Sequence, residues 1–427
     1  MRVSYRLWIG LNALFGALLW MKVAGWAEPS AGIGRSDGDS LSAPPYGGIK
    51  PYADLLAKPY EYHGPEGERG EPTDVEDVPI GLFGPSKGRR AASGLSMRRG
   101  AEWALAEANA EGGYHGKPFR LVFRSDDQIW GSAQEMVKLV YDDRVWAVMG
   151  SIGGQSTHMA EQIITKVHVP LIAPASTDLS LTEINIPWMF RSMPDDERMA
   201  WVLGVYLLQD RGYKKVAAIA AQAYDSRIGI DEFESMMRRL GTPLALSLKY
   251  DPGDRNFSQQ LRVIERARIQ ALVIWGQPEE AARLIRQMRE QGMAQEVFGG
   301  PELAFPKFLK LAGAFAEAMV IVAPCDLWRD DPMLQTFNRL FSKRYGEAPD
   351  ILAAYAYDGM NFLVQAIRTG GLNRAKIREA MAEIGVFHGV TGEIRFDGSG
   401  SNVNSPVLVA VQDGCFVPLG HRSYVIR

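Results

Sequence analysis

Two short loops rich in glycine, serine and threonine carry the residue types that bind small anions. Each follows an apolar strand, and backbone N–H groups at the start of a helix hold carboxylates, together with hydroxyl groups, through charge-assisted hydrogen bonds. Ordinary helix capping explains either loop alone, but two such loops at neighbouring strand ends indicate a binding site. The loop residues are Gly153, Gly154, Gln155, Ser156 and Thr157 in the first loop, and Ala175, Ser176 and Thr177 in the second.

The second half of the chain offers the opposite charge and apolar surface. Glu302 lies just past a strand end in the segment Gly299-Gly-Pro-Glu302, where its carboxylate can neutralise the ammonium group of a ligand. A solvated carboxylate in a turn is the alternative. Tyr224 and Trp275 also stand at strand ends and can form aromatic walls of a site, although either can equally pack in the core or at an interface.

The motifs of catalysis and of metal binding do not fit. The loop that follows Gly84 lacks the Gly-Lys-Ser/Thr ending of a phosphate-binding Walker loop. Ser156 is followed by Thr157-His158 rather than by the glycine of a nucleophile elbow. The six histidines have no metal-ligand spacing, and two cysteines cannot form a cysteine-rich zinc site. We therefore expect neither an enzyme nor a metal or cofactor; the enzymatic alternative, an exported hydrolase, lacks a recognisable nucleophile–base pair.

Alternating strands and helices position these loops from Val78 onward. The alternation predicts an α/β protein with parallel sheets covered by helices on both faces. Strands are predicted at 78–83, 119–124, 145–150, 169–174, 215–221, 244–250, 270–275, 296–300 and 318–323. Helices are predicted after the first strand and near 131–143, 155–166, 197–211, 226–240, 256–268, 278–291, 331–345, 351–369 and 373–384.

Two seams interrupt this pattern, one near Met193-Pro-Asp-Asp196 and one at Ala323-Pro-Cys-Asp326. Two α/β lobes that exchange chain segments at several crossovers would produce such a layout. The predicted division assigns residues 78–193 and 326–385 to lobe 1, and residues 198–322 and 398–427 to lobe 2.

Length, charge and the N-terminus add further expectations. A chain of 427 residues is long enough for two domains, and its net charge of −3 gives no reason to expect a nucleic-acid partner. Residues 1–27 have the positive start, short apolar run and small-residue site of a cleaved secretory signal, with an uncleaved anchor as the alternative. We therefore expect a periplasmic or other extracytoplasmic protein without a lipid-anchor cysteine. Residues 28–77 form an acidic arm rich in proline and glycine.

The order of several motifs resembles that of type I periplasmic solute-binding proteins, of the branch that serves branched-chain amino acid and amide ABC transporters. The likeness covers about Val78 to Leu419. Its segment Gly389-Val-Thr-Gly-Glu-Ile-Arg-Phe-Asp397 is fairly specific. The other motifs are Gly84-Pro85, Gly94, Gly100-Ala101, Asn109-Ala-Glu-Gly-Gly113, Ser125-Asp-Asp127, Val169-Pro-Leu-Ile-Ala-Pro-Ala-Ser-Thr177, Tyr355-Ala-Tyr-Asp358 and the tail from Val407.

The resemblance implies two Rossmann-like lobes, joined by a three-crossover hinge, that close on a small solute. It implies that the two loops grip an α-carboxylate, that Glu302 takes the α-ammonium group, and that Tyr224 covers the ligand. Two positions depart from the family: Gly154 stands where a serine is common, and Ser93 where the first loop often supplies an aromatic residue. The segment around Trp275 is also shorter, so leucine-type specificity is not expected to transfer.

The function implied is capture of an amino acid or a related amide or carboxylate, as a monomer, and delivery to the membrane permease of an ABC importer. The alternative on the same fold is a ligand-sensing subunit of an extracytoplasmic receptor or signalling system. Genes for a permease and an ATPase beside this one would distinguish the two.

Overall fold

The computed structural model describes residues 70–127 and 129–420. The predicted signal segment, the arm before Gly70 and the last seven residues of the tail lie outside the described residues. The described end of the arm contacts the folded body, because the Tyr114 hydroxyl donates a hydrogen bond to Glu71 over 2.8 Å.

The strands form two large sheets and one hairpin. In chain order they are β1 (Val78–Gly84), β2 (Phe119–Ser125), β3 (Val148–Gly150), β4 (Leu171–Ala173), β5 (Met189–Arg191), β6 (Val216–Ala221), β7 (Leu246–Tyr250), β8 (Ala271–Trp275), β9 (Glu296–Gly299), β10 (Val320–Ala323), β11 (Val386–Gly389), β12 (Gly392–Arg395), β13 (Val407–Gln412) and β14 (Cys415–Pro418). The first sheet is parallel, in the order β2-β1-β3-β4-β5.

The second sheet has the order β14-β13-β10-β9-β8-β6-β7. Its strands β6 to β10 are parallel, whereas β13 and β14 pair antiparallel at one edge. Every residue of β6 and β8 is buried, as expected for parallel strands covered on both faces. The hairpin β11-β12 pairs separately from both sheets.

Helices cover these sheets. They are α1 (Ala91–Ala110), α2 (Ile129–Tyr141), α3 (Gly154–Val167), α4 (Ser180–Glu183), α5 (Asp196–Val205), α6 (Tyr224–Arg239), α7 (Ser258–Ala267), α8 (Pro278–Glu290), α9 (Pro306–Ala312), α10 (Pro332–Tyr345), α11 (Ile351–Gly370) and α12 (Arg374–Ile384). No helix within residues 70–127 and 129–420 is both long enough and apolar enough to cross a membrane.

The predicted α/β class is confirmed: the chain forms two large sheets, one parallel and one largely parallel, each covered by helices. The sequence pattern missed β5, α4 and α9. These elements have three, four and seven residues, and a helical or strand period is not recognisable over so short a span.

Gly100, one of the motif glycines, allows two helices to pack closely. A Cβ atom at Gly100 would lie 2.1 Å from the backbone oxygen of Ala353, so α1 and α11 approach each other at a point where no side chain fits. This contact joins a C-terminal helix to the first sheet, because α1 follows β1 directly.

A buried carboxylate explains two other motifs together. Asp358 on α11 is fully buried and accepts hydrogen bonds from the backbone N–H groups of Val390 and Thr391, each over 2.8 Å. It also accepts the Thr391 hydroxyl over 2.6 Å. The Tyr-Ala-Tyr-Asp segment therefore anchors the turn between β11 and β12.

The chain passes between the two sheets after β5, after β10 and before β13. At the first passage, Arg191 is fully buried and donates to Asp195 over 3.1 Å. Asp195 also caps α5 by accepting the backbone N–H of Arg198 over 2.8 Å. The Arg191 side chain bonds Ser401 as well, so the first and third passages lie side by side. We propose the lobe division given above, with these passages as the hinge.

Candidate functional site

A cavity of about 580 Å³ lies between the loops of the two sheets. This volume is within the range of small-molecule sites. Four of the predicted site residues line it: Ser93, Ala175, Thr177 and Glu302. The first three belong to loops and helices of the first sheet, whereas Glu302 follows β9 of the second sheet, so both sheets contribute to one cavity.

Glu302 presents an unpaired carboxylate oxygen at this cavity. The residue lies in the turn Pro301–Leu303, and its Oε2 atom is buried without a hydrogen-bond partner among the described residues. Burial, and to a smaller extent the nearby Asp225, raise the pKa of Glu302 from its ordinary value of 4.5 to about 7, although Arg90 opposes the rise. A cation placed beside Oε2 would therefore stabilise the charged carboxylate.

Asp225, at the start of α6, links the two sheets across the cavity. Its Oδ1 atom accepts the backbone N–H of Gly154 over 2.8 Å, and its Oδ2 atom pairs with the guanidinium group of Arg90. Gly154 begins α3 on the first sheet. A carboxylate thus does bind the helix N-terminus predicted to hold one, but it is a carboxylate of the chain itself.

Two further contacts join the two lobes beside the cavity. The Arg89 guanidinium pairs with Glu280, whose side chain is buried at the start of α8. The Tyr224 hydroxyl donates a hydrogen bond to Asp178 over 3.0 Å. Tyr224 is therefore at the interface of the two lobes but outside the cavity lining, where it crosses between α6 and the loop after β4.

The glycine at position 154 is required by its surroundings. A Cβ atom there would lie 2.5 Å from the Oδ2 atom of Asp178. Asp178 also accepts hydrogen bonds from Tyr224 and Ser180 and lies 3.3 Å from the His158 ring. These partners oppose the effect of burial, and the pKa of Asp178 is lowered to about 2. The serine common in the family would collide with this carboxylate.

Hydrogen bonds to its neighbours keep His158 charged. Its ring lies between Asp178 and Glu161, at 2.8 Å from the Glu161 carboxylate. Despite desolvation, which acts in the opposite direction, these two carboxylates raise the pKa of His158 to about 9. The first lobe therefore holds a fixed ion-pair cluster directly behind the Asp178–Tyr224 contact.

Four predicted residues lie elsewhere. Trp275 is fully buried in the core, so close to Gly229 that a Cβ atom there would lie 2.0 Å from its Nε1 atom, and it forms no wall of the cavity. Gln155 is exposed on α3. The Ser156 hydroxyl bonds Asp126 behind the loop, and Ser176 is buried.

The loop Gly84–Gly88, which lacks the ending of a Walker loop, is filled by a carboxylate of the chain. The backbone N–H groups of Ser86 and Lys87 donate to Asp127 over 2.6 and 2.8 Å, and the Ser86 hydroxyl donates to its other oxygen. Asp127 therefore fixes this loop to the end of β2, and the loop has no role as an open anion site.

Thr177 is the predicted donor that does line the cavity, and its hydroxyl is also used. It donates to Asp196 over 3.0 Å. Asp196 is buried, its other oxygen has no partner among the described residues, and burial raises its pKa well above the ordinary value of 3.8. The nearby Glu302 contributes to the same rise in the pKa of Asp196.

Sequence reasoning missed Arg90 and Asp225. An arginine pair at the end of the first loop and an acid at a helix start were visible, but acids commonly begin helices and carry no site signal by themselves. In the described part of the chain, no cluster of histidine, cysteine and acidic residues has the arrangement of a metal site.

Two α/β lobes whose loops line one cavity have the architecture of a two-lobed solute-binding protein. Comparison with known proteins gives the family. The profile described as "Periplasmic binding protein" matches residues 77–414, and the chain belongs to this family. Membership implies an extracytoplasmic location.

Individual relatives are more distant. The chain is 28% identical over 341 residues to "Leu/Ile/Val-binding protein homolog 2" of Brucella abortus (strain 2308), covering 79% of this chain and 91% of the relative. It is 27% identical over 306 residues to an "Amino acid binding protein" of Pseudomonas aeruginosa, covering 70% and 80%. The isoleucine complex of the substrate-binding protein LivJ from Streptococcus pneumoniae superposes with a TM-score of 0.73 at 25% identity, covering 80% of this chain and 99% of that one.

Proposed function

We propose that this protein captures a small solute that carries an ammonium group, such as an amino acid, an amino-acid amide or a related amine, and delivers it to an ABC importer. The observation that carries the proposal is the buried, unpaired Oε2 atom of Glu302 at a cavity lined from both lobes. A buried charge without a partner is costly, and a ligand cation removes that cost on binding.

The walls of the cavity suit a solute with an apolar body. Beside the Glu302 carboxylate, its lining includes the side chains of Ile152, Met193, Phe305 and Leu352. Apolar walls with a few placed polar groups are the usual composition of a specific small-molecule site. The charged group would orient the solute and the apolar walls would contribute burial.

Closure of the lobes would complete the site. Thr177 and Glu302 come from different sheets, so a solute that contacts both favours the closed arrangement over an open one. The names of the relatives, which bind amino acids, support an amino-acid-type solute and an ABC transporter as the membrane partner. We further propose export with cleavage after Ala27, so that the mature protein begins at Glu28.

Calorimetry of the mature protein against a panel of amino acids, their amides and simple amines tests the proposal. At least one solute should bind, and Glu302→Gln should weaken its binding by about tenfold or more, because removing one partner of a buried charge pair is costly. Small-angle scattering should show a smaller radius of gyration with that solute. Binding unaffected by Glu302→Gln, or steady chemical turnover of the solute, would refute the proposal.

A further inference from the structure

We infer that Asp225 determines the specificity of the cavity, and that the preferred solute is an amine cation with an apolar body rather than an α-amino acid. This inference rests on the proposed function and names its solute class. It is carried by the placement of one carboxylate, which occupies a backbone N–H group and a guanidinium group that an α-carboxylate could use.

Three donors near Asp225 that could bind an anion already have acceptors within the chain. The backbone N–H of Gly154 begins α3, and Asp225 already accepts its hydrogen bond over 2.8 Å. The second oxygen of Asp225 takes the guanidinium group of Arg90. The hydroxyl of Thr177, a third donor at the cavity, donates to Asp196. A ligand carboxylate that took any of these three donors would have to displace one of the chain's own carboxylates.

The other cationic side chains that line the cavity are also paired. Besides Arg90, the cavity lining contains three cationic side chains, and a carboxylate partner is bound to each: Arg89 to Glu280, Arg99 to Glu347, and Lys307 to Glu279. None of them is a free partner for an incoming anion.

Glu302, by contrast, has a carboxylate oxygen that accepts no hydrogen bond within the described ranges. The Oε2 atom of Glu302 is buried and has no hydrogen-bond partner among the described residues. The cavity lining therefore combines paired cationic side chains with an unsatisfied anionic acceptor at Glu302. A zwitterion would bring a carboxylate next to Asp225, and like charges at close range in an interface are strongly unfavourable. An amine without that carboxylate gains the Glu302 contact and leaves the Asp225 contacts intact.

Matched solutes test the inference on the full mature chain. L-leucine and isopentylamine share a side chain and an amine and differ by the carboxylate, and L-phenylalanine and phenethylamine form a second such pair. In calorimetry, the parent protein should bind at least one amine about tenfold or more tightly than its amino acid, as expected for avoided like-charge contact.

Substitution of Asp225 should reverse this preference. Asp225→Ala frees the N–H of Gly154 and the guanidinium group of Arg90, so the affinity for the amino acid should rise about tenfold while the amine changes by less than about threefold. Asp225→Asn keeps the shape of the side chain and replaces the alanine variant if that variant does not fold. It should reduce the preference for the amine over the amino acid. Asp231→Ala, an exposed acid on the same helix, is the matched control and should leave the ratio unchanged.

Two results would overturn the inference. A parent protein that prefers the amino acid, with Asp225→Ala weakening that binding, would make Asp225 part of a zwitterion site. An amine preference that survives unchanged in both Asp225 variants would assign the selectivity to other residues. If no amine, amide or amino acid binds the parent or any variant, the proposed function fails, and the inference fails with it.

Discussion

Replacing Glu302 by glutamine should stabilise the unliganded protein, and only at higher pH. In the folded protein, burial raises the pKa of this carboxyl from its ordinary value of 4.5 to about 7. Between these two values the folded chain keeps a proton that the unfolded chain releases, so stability falls as pH rises through this window. Above about pH 7 the whole cost is present.

The magnitude follows from the same shift. At about 1.4 kcal/mol per pH unit, the charged carboxylate would lower the free energy of unfolding by roughly 3 kcal/mol above pH 7. Part of the Glu302 side chain is accessible to solvent, and screening reduces this to roughly 2 kcal/mol. The difference in unfolding free energy between Glu302→Gln and the parent should therefore grow by roughly 2 kcal/mol from about pH 4.5 to about pH 8.

Urea unfolding of solute-free protein at the two pH values measures this difference. Glu347→Gln is the matched control, because it removes an equal charge from the cavity lining but its side chain is 65% exposed and pairs with Arg99 at the surface. It should change the free energy of unfolding by less than about 1 kcal/mol at either pH. A Glu302→Gln difference that is the same at both pH values would mean that the carboxylate is solvated or paired, and the reasoning from its burial would be wrong.

Three further outcomes are expected. Gly100→Ala should cost about 3 kcal/mol in urea unfolding, because its Cβ meets a backbone oxygen, whereas Gly359→Ala, which meets a movable methionine sulfur at 3.1 Å, should cost less than about 1 kcal/mol. Asp358→Ala should cost about 2–4 kcal/mol by leaving buried N–H groups unpaired, and equal stability would contradict its anchoring role. Amine binding should weaken by up to about tenfold per pH unit below about pH 7, as Glu302 is protonated; a flat calorimetric profile would exclude that coupling.

The fold was predictable because its signals are local and repeated. Buried strands such as β6 and β8 are continuous apolar runs, and each long helix between them has its own period. On α1, apolar or small residues that recur at helical spacing are buried: Met97, Ala101, Ala104, Leu105 and Ala108. Elements of three to seven residues carry too few positions for a period to be visible, which is why β5 and α9 were missed.

The site was predictable only to the level of the loop. Parallel strands bring their carboxyl ends to one edge, so a position after a strand end is enough to expect Thr177 and Glu302 at the same cleft. Position does not give side-chain direction. Trp275 ends β8 just as Glu302 follows β9, yet Trp275 is turned into the core against Gly229 and Phe233. Only the packing around it decides this.

Asp225 shows why the charge of a cleft cannot be derived from one lobe at a time. In the sequence, the loop at Gly154 has the features of an anion site. In the structure its N–H group is already occupied, because Asp225, about seventy positions later, approaches it from the other lobe. The same carboxylate joins the lobes through Arg90 and bonds the donor that a ligand carboxylate would use. Any solute that needs that donor must therefore break a contact between the two lobes. A solute that bonds Glu302 and also packs against residues of the first lobe would leave that contact intact and add to the contacts between the lobes, so we expect closure and selection for an amine to depend together on Asp225.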